Sequence, residues 1–346
     1  MRKRATLISV FVALVIGLMV CAWSGITSAQ TTPIPLKLAH WVPPKHLIHT
    51  DIAEPWAREV EKRTGGKVKV TIFPSEALGK VKDAYDMATG GLADISMGSQ
   101  SVQPARFLRT MVMDLPMLFR TGEIGSRALM ALYEKHLKPE YPDVKMLFLY
   151  TGQPMQIHMV KKPIRTVADF KGVKMRCTAG TPSEVAKLTG ATPVVMAVPE
   201  IYEALQRGIV EGTFISWESI TQMGWHELLK YHTEANLFAV PFYVVMNMKS
   251  WQKLPPDIQK QIDEVSGDWA ARMAGKNWDT NCAKTKEQIK AMGGHEFIQM
   301  SPEETEKLRK IVSTRPDSWI KDMESKGIPG REIYNETIRL VKKYSE

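Results

Sequence analysis

Residues 168–219 constrain the fold more than any other stretch, because their hydrophobic pattern switches repeatedly between the period of a strand and that of a helix. The predicted elements, in chain order, are a strand at 173–177, a helix at 181–188, a buried strand at 191–198, a helix at 199–206 and a strand at 213–216. Pro182 occupies a first-turn position that tolerates proline. Strands joined by helices pair in parallel through right-handed crossovers, so the stretch predicts a β-α-β-α-β unit.

Arg176 lies at the carboxyl end of the first of these strands, where ligands bind in open α/β sheets. A guanidinium in an apolar strand needs water, a counterion or a cleft, because burying its charge alone is prohibitive. Its planar donors suit two-point contact with a carboxylate, so Arg176 is the leading candidate for an anion ligand. The alternative is an arginine at the rim in a weak surface ion pair.

The start of the chain repeats the β-α-β-α-β order. Strands are predicted at 36–41, 67–73 and 93–97, with helices at 48–63 and 80–89. We therefore expect two like α/β lobes connected by two chain crossings, with a small-molecule cleft that closes about the hinge between them. The expected boundaries are 35–152 plus about 240–256 for lobe one, 153–239 for lobe two, and 257–346 for C-terminal helices that span both. The longest helical pattern is 257–292.

Residues 1–29 have the pattern of a signal peptide. Arg2, Lys3 and Arg4 precede an apolar core, and small residues at 27–29 suit cleavage. A retained membrane anchor is the alternative, which Gly25 and the small-residue exit disfavour. Removal of this segment lowers the net charge from +9 to +6, because it holds three basic residues and no acids. The remaining charge forms no basic run of the nucleic-acid-binding type, and it suits small anions. We expect a secreted, soluble protein without a nucleic-acid partner.

Motifs for catalysis or metal binding are missing from the sequence. It contains no P-loop, no nucleophile elbow and no zinc-type helix motif, so we expect neither an enzyme nor a cofactor. Three histidines at 40, 46 and 49 straddle a predicted strand end, which disfavours a metal site there. After cleavage two cysteines remain, Cys177 and Cys282, and the sequence leaves open whether they pair.

Aromatic and polar side chains near the predicted strand ends are candidates for a pocket wall. In the sequence they are Trp41, Gln156, His158, Phe214, Trp217 and Tyr243. Gln156 and His158 alternate to one face of a strand. Each of these residues alone is more often part of a core. Their common position near strand ends nevertheless favours an aromatic-walled pocket.

Several strings in the sequence resemble the substrate-binding proteins of TRAP (tripartite ATP-independent periplasmic) transporters, of the C4-dicarboxylate-binding type. They are KLAHW, EVEKRTGGKVKVTIFPSEALG, GGLADISMGS, DLPMLF, ADFKGVKMR and PEIYEALQRGIVEG, which occur in the family's order. The resemblance covers nearly all of the mature chain. It implies a two-lobed periplasmic-binding-protein-like (type II) α/β fold, with a long C-terminal helix bracing both lobes.

The same resemblance places Arg176 on the arginine that clasps the ligand carboxylate in this family. Two positions depart from the family pattern. Gln156 stands where sugar-acid-binding members carry a second arginine, and Ile215 stands where many members carry asparagine. Because glutamine cannot balance a second buried charge, these departures favour a monocarboxylate with an apolar or aromatic body, such as a 2-oxo or 2-hydroxy acid.

The function expected from the sequence is capture of an organic acid and its delivery to a TRAP permease in the membrane. Two alternatives stay open at this point. One is a binding protein of the ABC type, and the other is a periplasmic enzyme that acts on a small acid. Turnover of a bound acid would favour the enzyme, and reversible one-to-one binding would favour the carrier.

Overall fold

The structure is a computed structural model that describes residues 32–196 and 198–346. The predicted signal peptide at 1–29 lies outside the described residues. Among the described helices, none is both long enough and apolar enough to cross a bilayer.

The described strands form two sheets. In chain order they are β1 (Ile34–Ala39), β2 (Val68–Phe73), β3 (Ile95–Ser99), β4 (Val144–Thr151), β5 (Gln156–Met159), β6 (Lys174–Cys177), β7 (Thr192–Val195), β8 (Gly212–Ile215), β9 (Tyr231–Glu234), β10 (Pro241–Asn247) and β11 (Glu296–Gln299). The first sheet has the strand order β2-β1-β3-β10-β4, and the second has the order β11-β9-β5-β8-β6-β7.

Helices connect and cover these strands. They are α1 (Glu54–Arg63), α2 (Ala84–Gly90), α3 (Gly122–Leu132), α4 (Thr181–Leu188), α5 (Ile201–Gln206), α6 (Trp217–Gln222), α7 (Met248–Gln252), α8 (Pro256–Glu264), α9 (Gly267–Met292), α10 (Pro302–Val312), α11 (Thr314–Ser325) and α12 (Gly330–Ser345). A π-helical turn at Ile48–Ala53 leads into α1, and a second at Tyr133–Leu137 follows α3.

Both sheets contain the expected β-α-β-α-β unit. In the first sheet β1 lies between β2 and β3, and in the second β6 lies between β7 and β8. The pairs β1–β3, β6–β7 and β6–β8 are parallel. In each unit the strand that comes first in the chain therefore lies between the second and the third. Right-handed crossovers give this arrangement.

Each sheet has its own apolar core. One core contains Tyr85, Phe107, Leu129, Tyr141 and Tyr243, and residues of α11 and α12 join it. The other contains Ile157, Phe170, Met175, Phe214 and Phe238, and residues of α10 join it. The C-terminal helices thus pack against both sheets, since a helix with one apolar stripe must bury that stripe.

Three sequence expectations need correction. The helical pattern at 257–292 is two helices, because the chain breaks between Glu264 and Gly267, whose φ is +56°. The strand expected to be buried, β7, is an edge strand whose residues are exposed or half-buried. The C-terminal region also contributes a strand, since β11 pairs in parallel with β9.

The helix α9 contacts elements of both sheets. Near its middle, the Asp279 carboxylate accepts hydrogen bonds from the backbone N–H groups of Gly122 and Glu123 at 2.7 and 2.9 Å, at the start of α3. The adjacent residue Trp278 and, one turn further on, Cys282 contact α6, and Lys286 forms an ion pair with Glu234 of β9. At 26 residues the helix is about 39 Å long, which suits this bridging position.

Candidate ligand-binding site

Arg176 is on β6 and is 1% exposed. Its Nε and Nη2 donate to the carbonyl oxygen of Met196 at 3.3 and 2.9 Å. These are its two hydrogen bonds to the described residues, so three of its five N–H groups make no hydrogen bond to that part of the chain. Burial lowers the pKa of Arg176 to about 10, and Cys177 and Glu200 partly offset that effect. The guanidinium is therefore charged at neutral pH while largely withdrawn from water.

The row of side chains that contains Arg176 runs across the second sheet, and four neighbouring strands contribute its polar members. Arg176 pairs with Thr213 on β8, Thr213 with His158 on β5, and His158 with His232 on β9. Residues that pair directly project from the same face of a sheet. Since neighbouring strands are about 4.8 Å apart, the Cα atoms of His158 and Arg176 are about 10 Å apart.

His158 belongs to a chain of three imidazoles. Its Nε2 donates to the carbonyl oxygen of Ile215 at 3.2 Å, so its Nδ1 accepts a hydrogen bond from Nδ1 of His232 at 2.7 Å. His232 Nε2 in turn accepts from Nδ1 of His295 at 3.1 Å. Burial lowers the pKa of His158 to about 3 and that of His232 to about 2. Both rings are neutral and supply no positive charge to a ligand.

The amide of Gln156 is fully occupied by the protein. Its Oε1 accepts from the backbone N–H groups of Ala235 and Asn236, at 2.8 and 3.0 Å. Its Nε2 donates to the Pro154 carbonyl at 2.9 Å and to Oδ1 of Asn236 at 2.8 Å. An amide has two donors and two acceptor lone pairs, so none is left for a ligand. Contrary to the sequence expectation, Gln156 holds the loop after β9 in place.

Phe214 and Tyr243 also differ from their expected role. Phe214 follows Thr213 and projects from the opposite face of β8, where it meets Phe238 at 5.4 Å between ring centroids. Tyr243 lies in the core of the first sheet, 5.5 Å from Phe107. Alternate residues of a strand face opposite sides, so Phe214 lies on the other face of β8 from Thr213, and Tyr243 lies on the other face of β10 from Phe242. Each ring is therefore separated from the other residues expected to form the pocket wall.

Trp217 is brought next to the histidine row. Its indole meets His158 edge-on at 4.9 Å and stacks on Phe297 at 5.5 Å. It is buried at the first position of α6. The ring packs α6 against the face of the second sheet that carries Arg176, where Phe297 of β11 also lies.

Trp41 belongs to a second group, which we call the aromatic cluster: Trp41, Phe242, Tyr150 and Trp278. Trp41 stacks on Phe242 with centroids 5.9 Å apart and 18° between the planes. Phe242 stacks in turn on Tyr150 at 5.0 Å and on Trp278 at 5.3 Å. The cluster joins β4, β10 and α9. Sequence reasoning missed three of its four members, because the apolar run 241–246 does not reveal which residues share a face.

The cluster is connected to β8, the strand that pairs with β6 of Arg176, by a short path of contacts. Three residues after Thr213, the Ser216 hydroxyl donates to Glu218 Oε1 at 2.8 Å. The second oxygen of Glu218 accepts from Nε1 of Trp278 at 3.2 Å. The carboxylate of Glu218 thereby links the end of β8 in the second sheet to aromatic rings that stand on the first sheet.

Other candidate sites in the described chain have no comparable chemistry. The described residues contain no cluster of three His, Cys, Asp or Glu side chains able to hold a metal ion. His40 and His49 bond to each other at 2.8 Å, and Cys177 and Cys282 are buried free thiols. A surface groove of about 620 Å³ is lined by Thr221, Gln222, His226, Gln288, Ala291 and Met292, none of which is a permanent cation.

Two sheets of mixed α/β topology, bridged by a long helix, define a two-lobed periplasmic-binding-protein-like fold of type II. The family model of bacterial extracellular solute-binding proteins, family 7 (DctP), matches residues 38–322. The chain belongs to this family and is a periplasmic TRAP solute-binding protein. The family consists of transport proteins that bind small organic acids.

Known relatives match along most of their length. A TRAP solute-binding protein from Rhodoferax ferrireducens, solved with copurified benzoate, is 28% identical with a TM-score of 0.86, over 90% of this chain and 98% of that one. A marine metagenome TRAP protein specific for aromatic acid ligands is 27% identical with a TM-score of 0.87, over 91% and 100%. The C4-dicarboxylate-binding periplasmic protein DctP of Rhodobacter capsulatus is 27% identical over 80% and 83%.

Proposed function

We propose that this protein captures a monocarboxylate with an aromatic or apolar body and delivers it to a TRAP permease in the membrane. Arg176 clasps the carboxylate, and the aromatic cluster contacts the body of the ligand. The burial of the charged Arg176 guanidinium against a single carbonyl carries the proposal. A desolvated cation with unused donors gains most from a carboxylate, which matches its planar fork in charge and geometry.

The charge inventory supports one carboxylate rather than two. Among the lysines and arginines of the described residues, Arg176 alone is buried. The two histidines in its row are neutral, and Gln156 has no hydrogen-bond capacity to offer. A second ligand carboxylate held near this row would lack a buried counter-charge, which is a heavy penalty.

The aromatic cluster supports an aromatic or apolar body. Stacked rings add about 0.5–1.5 kcal/mol beyond the burial of their area. Trp41 is half-buried, so part of its ring is accessible at the end of the stack. The relatives solved with benzoate and with 3-hydroxybenzoate, at 28% and 27% identity, support an aromatic acid for this chain as well.

The transport role includes closure around the ligand. We propose lobe one at residues 35–152 and about 240–256, lobe two at 153–239, and a C-terminal part at 257–346 that braces both. Ligand binding shifts the population toward the closed form, which the permease recognises. The role is that of a carrier and not of an enzyme.

A ligand panel tests the proposal. Thermal shift and calorimetry compare benzoate, 3-hydroxybenzoate and branched monocarboxylates with succinate, malate and sialic acid. We expect micromolar or tighter binding of aromatic monocarboxylates and none of the dicarboxylates at the same concentrations. The variant Phe242→Leu should weaken benzoate binding, whereas Phe214→Leu, on the opposite face of its sheet, should lower stability and leave affinity unchanged. Stabilisation by dicarboxylates alone would refute the proposal.

A further inference from the structure

Glu218 is a buried acid at the junction of the two sheets. It lies on α6, and its side chain receives four hydrogen bonds. Ser216 and Ser219 donate their hydroxyls to Oε1 at 2.8 and 2.9 Å. The indole N–H of Trp278 and the thiol of Cys282 donate to Oε2, each at 3.2 Å. Four donors match the acceptor capacity of an ionised carboxylate.

The donors come from two different parts of the chain. Ser216 and Ser219 flank Glu218 itself, directly after β8 of the second sheet. Trp278 and Cys282 are on α9, whose neighbouring residue Asp279 caps α3 beside the first sheet. Burial raises the pKa of the Cys282 thiol well above its ordinary value, so the thiol stays protonated and able to donate.

Trp278 is also confined on its other side. Its ring stacks on Phe242, and a Cβ at Gly152 would lie 3.0 Å from two atoms of the indole. Gly152 stands immediately after β4, at the first chain crossing toward β5. The indole thus fills the space where the chain passes from one sheet to the other, and its only polar atom points at Glu218.

We propose that Glu218 is a positioning residue for ligand binding, whose hydrogen bond from Nε1 of Trp278 connects α6, after the end of β8, to α9. The bond fixes the aromatic cluster in the orientation that contacts the ligand body. The inference rests on the proposed capture of an acid by Arg176, and it adds a residue that touches no ligand. The bond orients rings that contact the ligand, so its loss should lower affinity in addition to any effect on the stability of the ligand-free protein.

The variant Trp278→Phe tests this, because phenylalanine keeps an aromatic ring and removes the N–H. Trp56→Phe is the matched control: Trp56 is equally buried and packs on Phe148 at 6.2 Å, but its N–H has no hydrogen-bond partner among the described residues. Calorimetry measures the affinity for whichever of benzoate, mandelate, succinate and galactonate binds the wild type most tightly. Thermal unfolding measures the ligand-free stability of each variant.

We expect Trp278→Phe to weaken binding by about tenfold or more, whereas Trp56→Phe should bind as the wild type does. Glu218→Met removes both acceptor oxygens and should show a similar or larger loss, and the double variant should lose no more than Glu218→Met alone, since both changes remove the same bond. Unchanged affinity in a folded Trp278→Phe protein, with lowered ligand-free stability, would overturn the proposal. If the wild type prefers succinate, the aromatic preference fails, while the comparison on succinate still tests Glu218. A wild type that binds none of the four acids overturns both proposals.

Discussion

At the scale of single residues, Asp114 has the most unusual environment of the ionisable side chains in the described chain after Arg176. It is fully buried near the first turn of α4, and a Cβ at Gly180 would lie 3.7 Å from its Oδ2. Neither oxygen has a well-formed hydrogen bond, although Thr181 and Arg315 favour the charged form. Burial outweighs them and raises the pKa of Asp114 well above its ordinary value.

Asp114→Asn should therefore stabilise the protein at neutral pH. The unfolded chain releases the Asp114 proton near pH 4, whereas the folded protein holds it to higher pH, so this group costs stability as pH rises above about 4. The expected gain at pH 7 is about 1.4 kcal/mol for each unit by which the pKa is raised. Urea unfolding at pH 7 and pH 4 measures it.

The exposed Asp83 provides the control for this substitution. Asp83→Asn should leave the free energy of unfolding unchanged at both pH values. A loss of stability in Asp114→Asn at pH 7 would mean that the carboxylate is charged and is held by Arg315 and Thr181.

The residue scale also shows how far sequence reasoning reaches. The position of Arg176 in an apolar strand could be predicted, because an arginine there is unusual whatever its neighbours are. The choice between Phe242 and Tyr243 could not, because the run around them is apolar on both faces of the strand. The role of Gln156 was equally hidden, since its partners Ala235 and Asn236 are distant in sequence.

At the scale of elements, the crossing of α9 and α3 depends on two glycines. Gly275 faces Gly122, and a Cβ at Gly275 would lie 2.6 Å from the carbonyl carbon of Gly122 and from the Cα of Glu123. Two helix backbones in such close contact leave no room for a methyl group. The contact places Asp279 where it can cap α3.

Gly275→Ala should destabilise the protein by about 1–3 kcal/mol through overpacking, although alanine is the better helix former. Gly90→Ala is the control, because Gly90 is also helical and its added Cβ would meet nothing within 4 Å. That change should be neutral or slightly stabilising. Equal effects of the two substitutions in denaturant unfolding would contradict the close crossing.

Elements could be predicted where period and boundary signals agree, as for α4, whose bounds match the expected helix at 181–188. Prediction failed where the boundary or the contacts of an element depend on tertiary context. The sequence Ser301-Pro302-Glu303-Glu304 has the spacing of a capping box, and Ser301 does cap α10, but the Glu304 carboxylate accepts from Val167 N–H and not from Ser301, so only half of the box forms. The exposure of β7 depends on its place at the sheet edge, which the sequence does not specify.

At the scale of the whole molecule, buried neutral histidines make stability depend on pH. Burial lowers the pKa of His40 and His158 to about 3 and that of His232 to about 2. The unfolded chain protonates these groups near pH 6.5. Between that pH and the folded-state pKa values the unfolded state binds more protons, so stability is full above pH 6.5 and is lost as pH falls.

The expected slope is up to about 4 kcal/mol per pH unit below pH 6, at about 1.4 kcal/mol for each of the three histidines. The free energy of unfolding in urea at pH 7.5, 6.5 and 5.5 measures this slope. Constant stability across that range would show that these histidines bind protons as readily in the folded protein as in the unfolded chain.

The central claim is that the buried Arg176 holds the ligand carboxylate, and calorimetry of Arg176 variants with benzoate tests it most directly. Arg176→Ala should lose at least about a hundredfold in affinity, because a desolvated carboxylate loses its counter-charge. Arg176→Lys should also bind poorly, since an ammonium cannot make the two-point contact. The exposed Arg207 serves as the control, and Arg207→Ala should bind as the wild type does. Wild-type affinity in a folded Arg176→Ala protein, with an unchanged circular dichroism spectrum, would contradict the account.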